Sequence, residues 1–276
     1  MKAIDARSRF VGILNLPDGS IDLAEAALWV AAEQYEGLDV QGYLSRLAEL
    51  AELARPSVES AGSIEQKIAA LCRFLYDEYG FRGNRSDYYD ARNSFLNDVI
   101  DRRTGIPITL AIVYLSVGAR LGLPVSGVGF PGHFLLRCSA SETIVIDPFE
   151  GSLLSRADCE TRWRATLGAD TPFDVRALEA APARQTLARL IGNLKQIFLA
   201  QEEWPRALAC IERLLLLVPD DPLELRDRGL LYARLECFSA AAADLRRFLE
   251  LAPDDPTGAE IHRQLVELLR SAPALH

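Results

Sequence analysis

His133 and Asp147 are the residues whose types and spacing best suit chemistry. The chain has three histidines, and the other two, His262 and His276, fall in the terminal helical pattern and at the chain end. His133 opens the apolar run HFLLRC, Asp147 follows the apolar stretch of the run TIVIDPF, and the link SASE joins the two runs. A hairpin about that link brings the imidazole and the carboxylate within about one register position, although a one-residue slip sets them on opposite faces. An imidazole oriented by a carboxylate is the base-and-orienter half of a nucleophilic triad. On spacing alone the preferred reading is plainer, a structural histidine hydrogen-bonded near a turn.

Other chemistries fit less well. Gly127, Gly129 and Gly132 spell GVGFPG, a literal dinucleotide pattern. That pattern must open a helix facing a pyrophosphate, whereas Pro131, His133 and the strand-like FLLRC follow here, so a turn between strands is expected. His133 and Asp147, even with Glu150 nearby, are too few ligands for a catalytic zinc, which takes three from protein. Neither metal nor cofactor is expected. The five cysteines, Cys72, Cys138, Cys159, Cys210 and Cys237, form no Cys-x-x-Cys pair, which reads as free thiols in a reducing cytoplasm. Cys138 follows His133 by five positions, so pleat alternation turns it to the opposite face.

The elements that must position these residues divide the chain of 276 residues into three parts. A helical segment is expected over 1–60, with helices Asp22–Tyr35 and Val40–Arg55, the second closed by Pro56. A mixed domain follows over 61–180. Ser63 and Gln66 have capping-box spacing for a helix Ile64–Tyr79, and a further helix, Ser94–Arg103, should stop at Gly105. PITLAIVYLSVGARLG starts with proline and is apolar on every side, as a buried central helix is. VSGVGF, HFLLRC and TIVIDPF then read as strands of a small antiparallel sheet. Helices packed on such a sheet make an α+β fold.

Residues 181–276 carry a repeat. Pro219 and Pro253, each in the string Pro-Asp-Asp-Pro, lie 34 residues apart, the tetratricopeptide period. The same shift pairs Phe198 with Tyr232, Trp204 with Phe238, Ala207 with Ala241, Ile211 with Leu245 and Leu217 with Leu251. Asp221 before Pro222 and Asp255 before Pro256 read as an N-cap followed by proline at the first helical position. Pro256–Arg270 is expected as a capping helix, and the charge runs RDRGLLYARLE and DLRRFLE as solvated faces.

A net charge of −9 and a pI near 5.0 argue against nucleic acid or an anionic membrane as partner. The apolar run Gly105–Ala119 falls short of the roughly 20 residues that a membrane span needs. MKAIDARSRF lacks the apolar length of a signal sequence.

A central helix, a strand opened by His and a strand ending in Asp-Pro together resemble the transglutaminase-like branch of the papain-type fold. NSFLNDVIDRRTGIPITLAIVYL, GARLGLPVSGVGFPGHFLLR and IDPFEG resemble the SirB1 family, a bacterial group with a transglutaminase-like core and C-terminal tetratricopeptide repeats. The resemblance implies His133 as base and Asp147 as orienting carboxylate. It also implies a cysteine nucleophile at the start of the buried helix, where this chain has Pro107. Thr109 is the nearest hydroxyl and Cys72 a more distant thiol. The expectation is a degenerate, noncatalytic adaptor binding a protein or peptide through its repeats. The alternative is a hydrolase or acyltransferase with Thr109 or a relocated thiol as nucleophile.

Overall fold

The computed structural model describes residues 3–141 and 144–271. Glu142 of the SASE link, Thr143 of the third strand run and His276 lie outside the described residues. The chain divides into two compact units, Met1–Leu190 and Ile191–His276.

In the first unit, α1 (Ala3–Leu14), α2 (Leu23–Ala32) and α3 (Val40–Glu59) precede α4 (Ile64–Cys72). Asp22 caps α2 by accepting from the Ala24 and Glu25 amides. Ser63 and Gln66 form the reciprocal capping box at α4. Three helix ends differ from expectation, the first being α2, which stops at Ala32, short of Tyr35. Pro56 does not close α3, which runs on to Glu59. Proline so near the C-terminus forfeits one backbone bond, and the last turn still closes through the Ser60 amide on the Pro56 carbonyl. Beyond α4 the chain widens into a π-helical turn, Arg73–Glu78, in place of a regular helix to Tyr79.

A two-residue parallel pair joins β1 (Arg82–Gly83) to β2 (Thr104–Gly105), on either side of α5 (Leu96–Arg102). Arg103, and not Gly105, ends α5 in the left-handed conformation at φ 53°. Its guanidinium holds that unusual backbone in place by lying 4.2 Å from the Tyr79 ring and donating to the Tyr79 carbonyl. The helix α6 (Pro107–Arg120) is buried along nearly its whole length and packs on α2, α3 and α5.

Beyond α6 the strands β3 (Val125–Val128), β4 (Leu135–Cys138), β5 (Val145–Asp147) and β6 (Ser152–Leu154) form one antiparallel sheet in sequence order. The fourth strand was not expected, since its exposed Ser152 and Leu153 carry no apolar alternation. One face of the sheet meets α6, where Gly127 leaves room for the Phe134 ring beside Leu115. The other face, with Val128, Leu135 and Val145, packs under Cys159 and Trp163 of α7 (Arg156–Leu167). Core helix, antiparallel sheet and covering helix make the α+β architecture expected. The start of α8 (Ala183–Ala200) is tied to this unit, because Asp18 accepts from the Ala183 and Arg184 amides.

The second unit takes the rest of α8 with α9 (Trp204–Leu217), α10 (Pro222–Arg234), α11 (Phe238–Leu251) and α12 (Gly258–Ser271). The 34-residue shift maps both ends of α9 onto both ends of α11, and Asp221 caps α10 through the Leu223 and Glu224 amides. Where α10 crosses α11, a Cβ on Gly229 would lie 2.7 Å from Leu245, which explains the small residue there. Two expectations need correction. Asp255 bonds Thr257, so α12 starts at Gly258 and not at Pro256. The charge runs are more than solvated faces: Arg228 forks onto Asp244 at 2.6 and 2.8 Å, and Asp227 lies 2.7 Å from the buried Lys195.

Candidate functional site

Strand register sets the geometry of the site. Leu136 faces Ile146 and Arg137 faces Val145, so the ladder continued by one pair places Asp147 beside Leu135. His133, two residues earlier, lies in the turn before β4 and not in the strand itself. Gly132 shapes that turn at φ 67°, with Thr166 of α7 so close that a Cβ would meet it at 3.0 Å. The result is a His133 Nε2 to Asp147 Oδ1 separation of 3.5 Å. That contact is too poorly aligned for a hydrogen bond, and the buried Nε2 has no hydrogen-bond partner among the described residues.

Asp147 is 0 % exposed. Its Oδ1 accepts from the Phe149 amide at 2.8 Å and the Glu150 amide at 3.3 Å, an Asx turn that closes β5. Arg162 of α7 brings Nη2 to 2.7 Å from Oδ2, again out of line for a hydrogen bond. Burial by itself would raise the Asp147 carboxyl, but His133, the Phe149 amide and Arg162 outweigh it and hold the group below the usual carboxylate range. The carboxylate is therefore shared between an imidazole and a guanidinium.

Phe149 extends this environment. Its ring centroid lies 6.4 Å from that of His133 and 6.1 Å from that of Tyr88, and a Cβ on Gly83 would lie 2.5 Å from the ring. Arg85 stacks on Phe149 and pairs with Glu150 at 2.6 Å. Glu150 thus turns to a cation, and among the described residues no three His, Cys, Asp or Glu converge to hold a metal ion.

The candidate nucleophiles lie elsewhere. Pro107 is the first residue of α6, where its missing N–H leaves no backbone bond unmade. Thr109 is fully buried; its Oγ1 accepts from the Ile106 amide at 3.2 Å and donates to the Asn93 carbonyl at 2.7 Å. The hydroxyl is a helix cap, and none of its hydrogen bonds reaches His133 or Asp147. Cys72 is buried against the Tyr114 hydroxyl at 4.0 Å, and burial pushes its thiol up to about 11. Cys138 is buried on β4 and Cys159 on α7, where burial raises the Cys159 thiol. Of the five thiols only Cys237 is exposed. In native protein at pH 8, iodoacetamide should modify Cys237 rapidly and the other four only after denaturation. Fast modification of Cys72 without denaturation would contradict that thiol's placement.

Sequence reasoning missed Arg162, fifteen positions beyond Asp147 on a helix of low apolar periodicity. The string RWRATL offers two cations, Arg162 and Arg164, and only the fold selects one.

A transglutaminase-like superfamily model matches residues 41–192 and a tetratricopeptide repeat model residues 194–266. Protein SirB1 of Salmonella typhimurium is 30% identical over 232 residues, covering 83% of this chain and 86% of that protein. The chain belongs to the SirB1 family. A UPF0162 protein of Xylella fastidiosa (strain Temecula1) is 39% identical over 261 residues, 93% of each chain. The UPF0162 protein YchA of Escherichia coli K12 is 30% identical over 238 residues, 86% of this chain and 88% of that protein. No solved structure shows a significant match. The chain joins a transglutaminase-like unit to repeats of a class that generally mediates protein interactions. Among the described residues no helix is long and apolar enough to cross a membrane.

Proposed function

We propose that this SirB1-family chain is a noncatalytic adaptor of the reducing cytoplasm. It binds a protein or peptide through its tetratricopeptide repeats and keeps His133 and Asp147 as a vestigial cleft in the transglutaminase-like unit. One observation carries this reading: the residue opening the core helix is Pro107, and the only hydroxyl in its first turn, Thr109, is bonded as a cap. A base without a side-chain nucleophile cannot form a covalent acyl-enzyme intermediate. Arg162 strengthens the reading, because Asp147 shared with a guanidinium is less free to orient and charge-stabilise an imidazole. The N-terminal helices act as a buttress for the core helix, which packs on α2 and α3.

The test is turnover. Full-length protein, incubated with peptide anilides and with a glutamine peptide plus a primary amine, should give no product above the His133→Ala variant. Product formation lost in His133→Ala would favour the hydrolase or acyltransferase reading instead. A photo-cross-linker at exposed Leu223 in the repeats should capture a specific protein in cells, and the Asp147→Asn variant should capture the same one.

A further inference from the structure

A cavity of about 640 Å³ opens beside the α7 face of the sheet. It is lined by Arg137 from β4, Val145 from β5, Arg156 from the start of α7, and Phe173, Arg176 and Leu178 from the segment that follows α7. Its size is that of a small-molecule site.

The wall is apolar and already built. Val145 belongs to the buried cluster with Leu154, Cys159 and Trp163, and Phe173 and Leu178 pack against that cluster. An apolar group entering the cavity would meet the edge of a packed core.

The charges are one-sided. Three arginines line the cavity against a single lining acidic residue, Glu179, in a protein whose net charge is −9. Arg156 and Arg176 have local partners, Glu160 at 3.1 Å and Asp174 at 2.7 Å, and because both guanidinium groups are largely exposed these pairs contribute little. Arg137 has no carboxylate partner among the described residues. Its Nη1 donates to the Leu178 carbonyl at 3.0 Å, which fixes the planar group while its other N–H donors stay available. A rigid strand thus presents an anchored guanidinium above an apolar wall, a pattern that suits the planar, two-oxygen geometry of a carboxylate.

We infer that this cavity binds an apolar monocarboxylate, with Arg137 holding the carboxylate and Val145, Phe173 and Leu178 receiving the apolar body. Two sources supply that chemistry, a free medium-chain acid or the C-terminus of a peptide ending in an apolar residue. The site is separate from the adaptor reading and stands whether or not His133 is catalytic.

Calorimetric titration of full-length protein tests it with four probes: octanoate, octanamide, and one peptide ending in Leu-Phe as free acid and as amide. Saturable one-to-one binding is expected for octanoate, for the free-acid peptide or for both, which also identifies the source. The two amides should bind at least about tenfold more weakly, the loss expected when a charge-assisted pair is removed. Arg137→Gln should weaken binding to a similar degree. Val175→Trp, at a lining position that is 58 % exposed and so tolerant of change, should block the cavity without unfolding the protein. No binding of either acid, equal binding of acid and amide, or unchanged affinity in folded Arg137→Gln and Val175→Trp would overturn the inference.

Discussion

Replacing Asp147 with Ala should destabilise the first unit by about 3–5 kcal/mol, the range for removing one partner of a buried ion pair. The loss would leave Arg162 and His133 without their shared anion and the Phe149 and Glu150 amides without their acceptor. Arg162→Met should cost less, because His133 and two amides still serve the carboxylate. The sign of the pH dependence follows from Asp147 titrating below its ordinary range in the fold. Its stabilisation is complete above the unfolded value of about 4 and is lost as pH falls through the lower, folded value. Urea unfolding of wild type and Asp147→Asn, followed from pH 7 downward, should show a gap that is constant near neutrality and closes in acid. A gap independent of pH would mean that the pair is not ionised as described.

Lys195→Met should be nearly as damaging to the repeats, at about 3 kcal/mol, again because the partner charges stay behind. Lys195 is only 4 % exposed and sits 2.7 Å from both Glu224 and Asp227 of α10. Adding Glu224→Gln to Lys195→Met should recover part of the loss, since burial already presses the Glu224 carboxyl toward its neutral form. Trp204 opens α9 and provides a fluorescence reporter in this unit. A single-variant effect within about 0.5 kcal/mol would reduce the cluster to the status of surface pairs.

These two clusters also mark the limit of what could be read from the chain. Signals local in sequence were legible: the 34-residue period, the Asp221-Pro222 start, the Ser63–Gln66 box, and the all-apolar helix from Pro107. Each depends on neighbours within one or two turns. His133 and Asp147 were legible because one short hairpin connects them. Arg162 and Lys195 were not, because the tertiary fold, and not any local pattern, decides which cation meets a buried carboxylate or a carboxylate pair. Helix ends failed for the same reason. Tyr79 stabilises the left-handed Arg103 from a distant segment, so α5 stops before the glycine that local rules favour. Pro56 likewise read as a stop, but so near a helix end it forfeits only one backbone bond.

The most direct test of the adaptor proposal is covalent labelling of the native full-length chain with a cysteine- and threonine-reactive electrophile, mapped by mass spectrometry. Labelling confined to Cys237 and unchanged by His133→Ala is the expected result. A modified residue in the first turn of α6 or beside His133, lost in His133→Ala, would show an activated nucleophile and contradict a noncatalytic role.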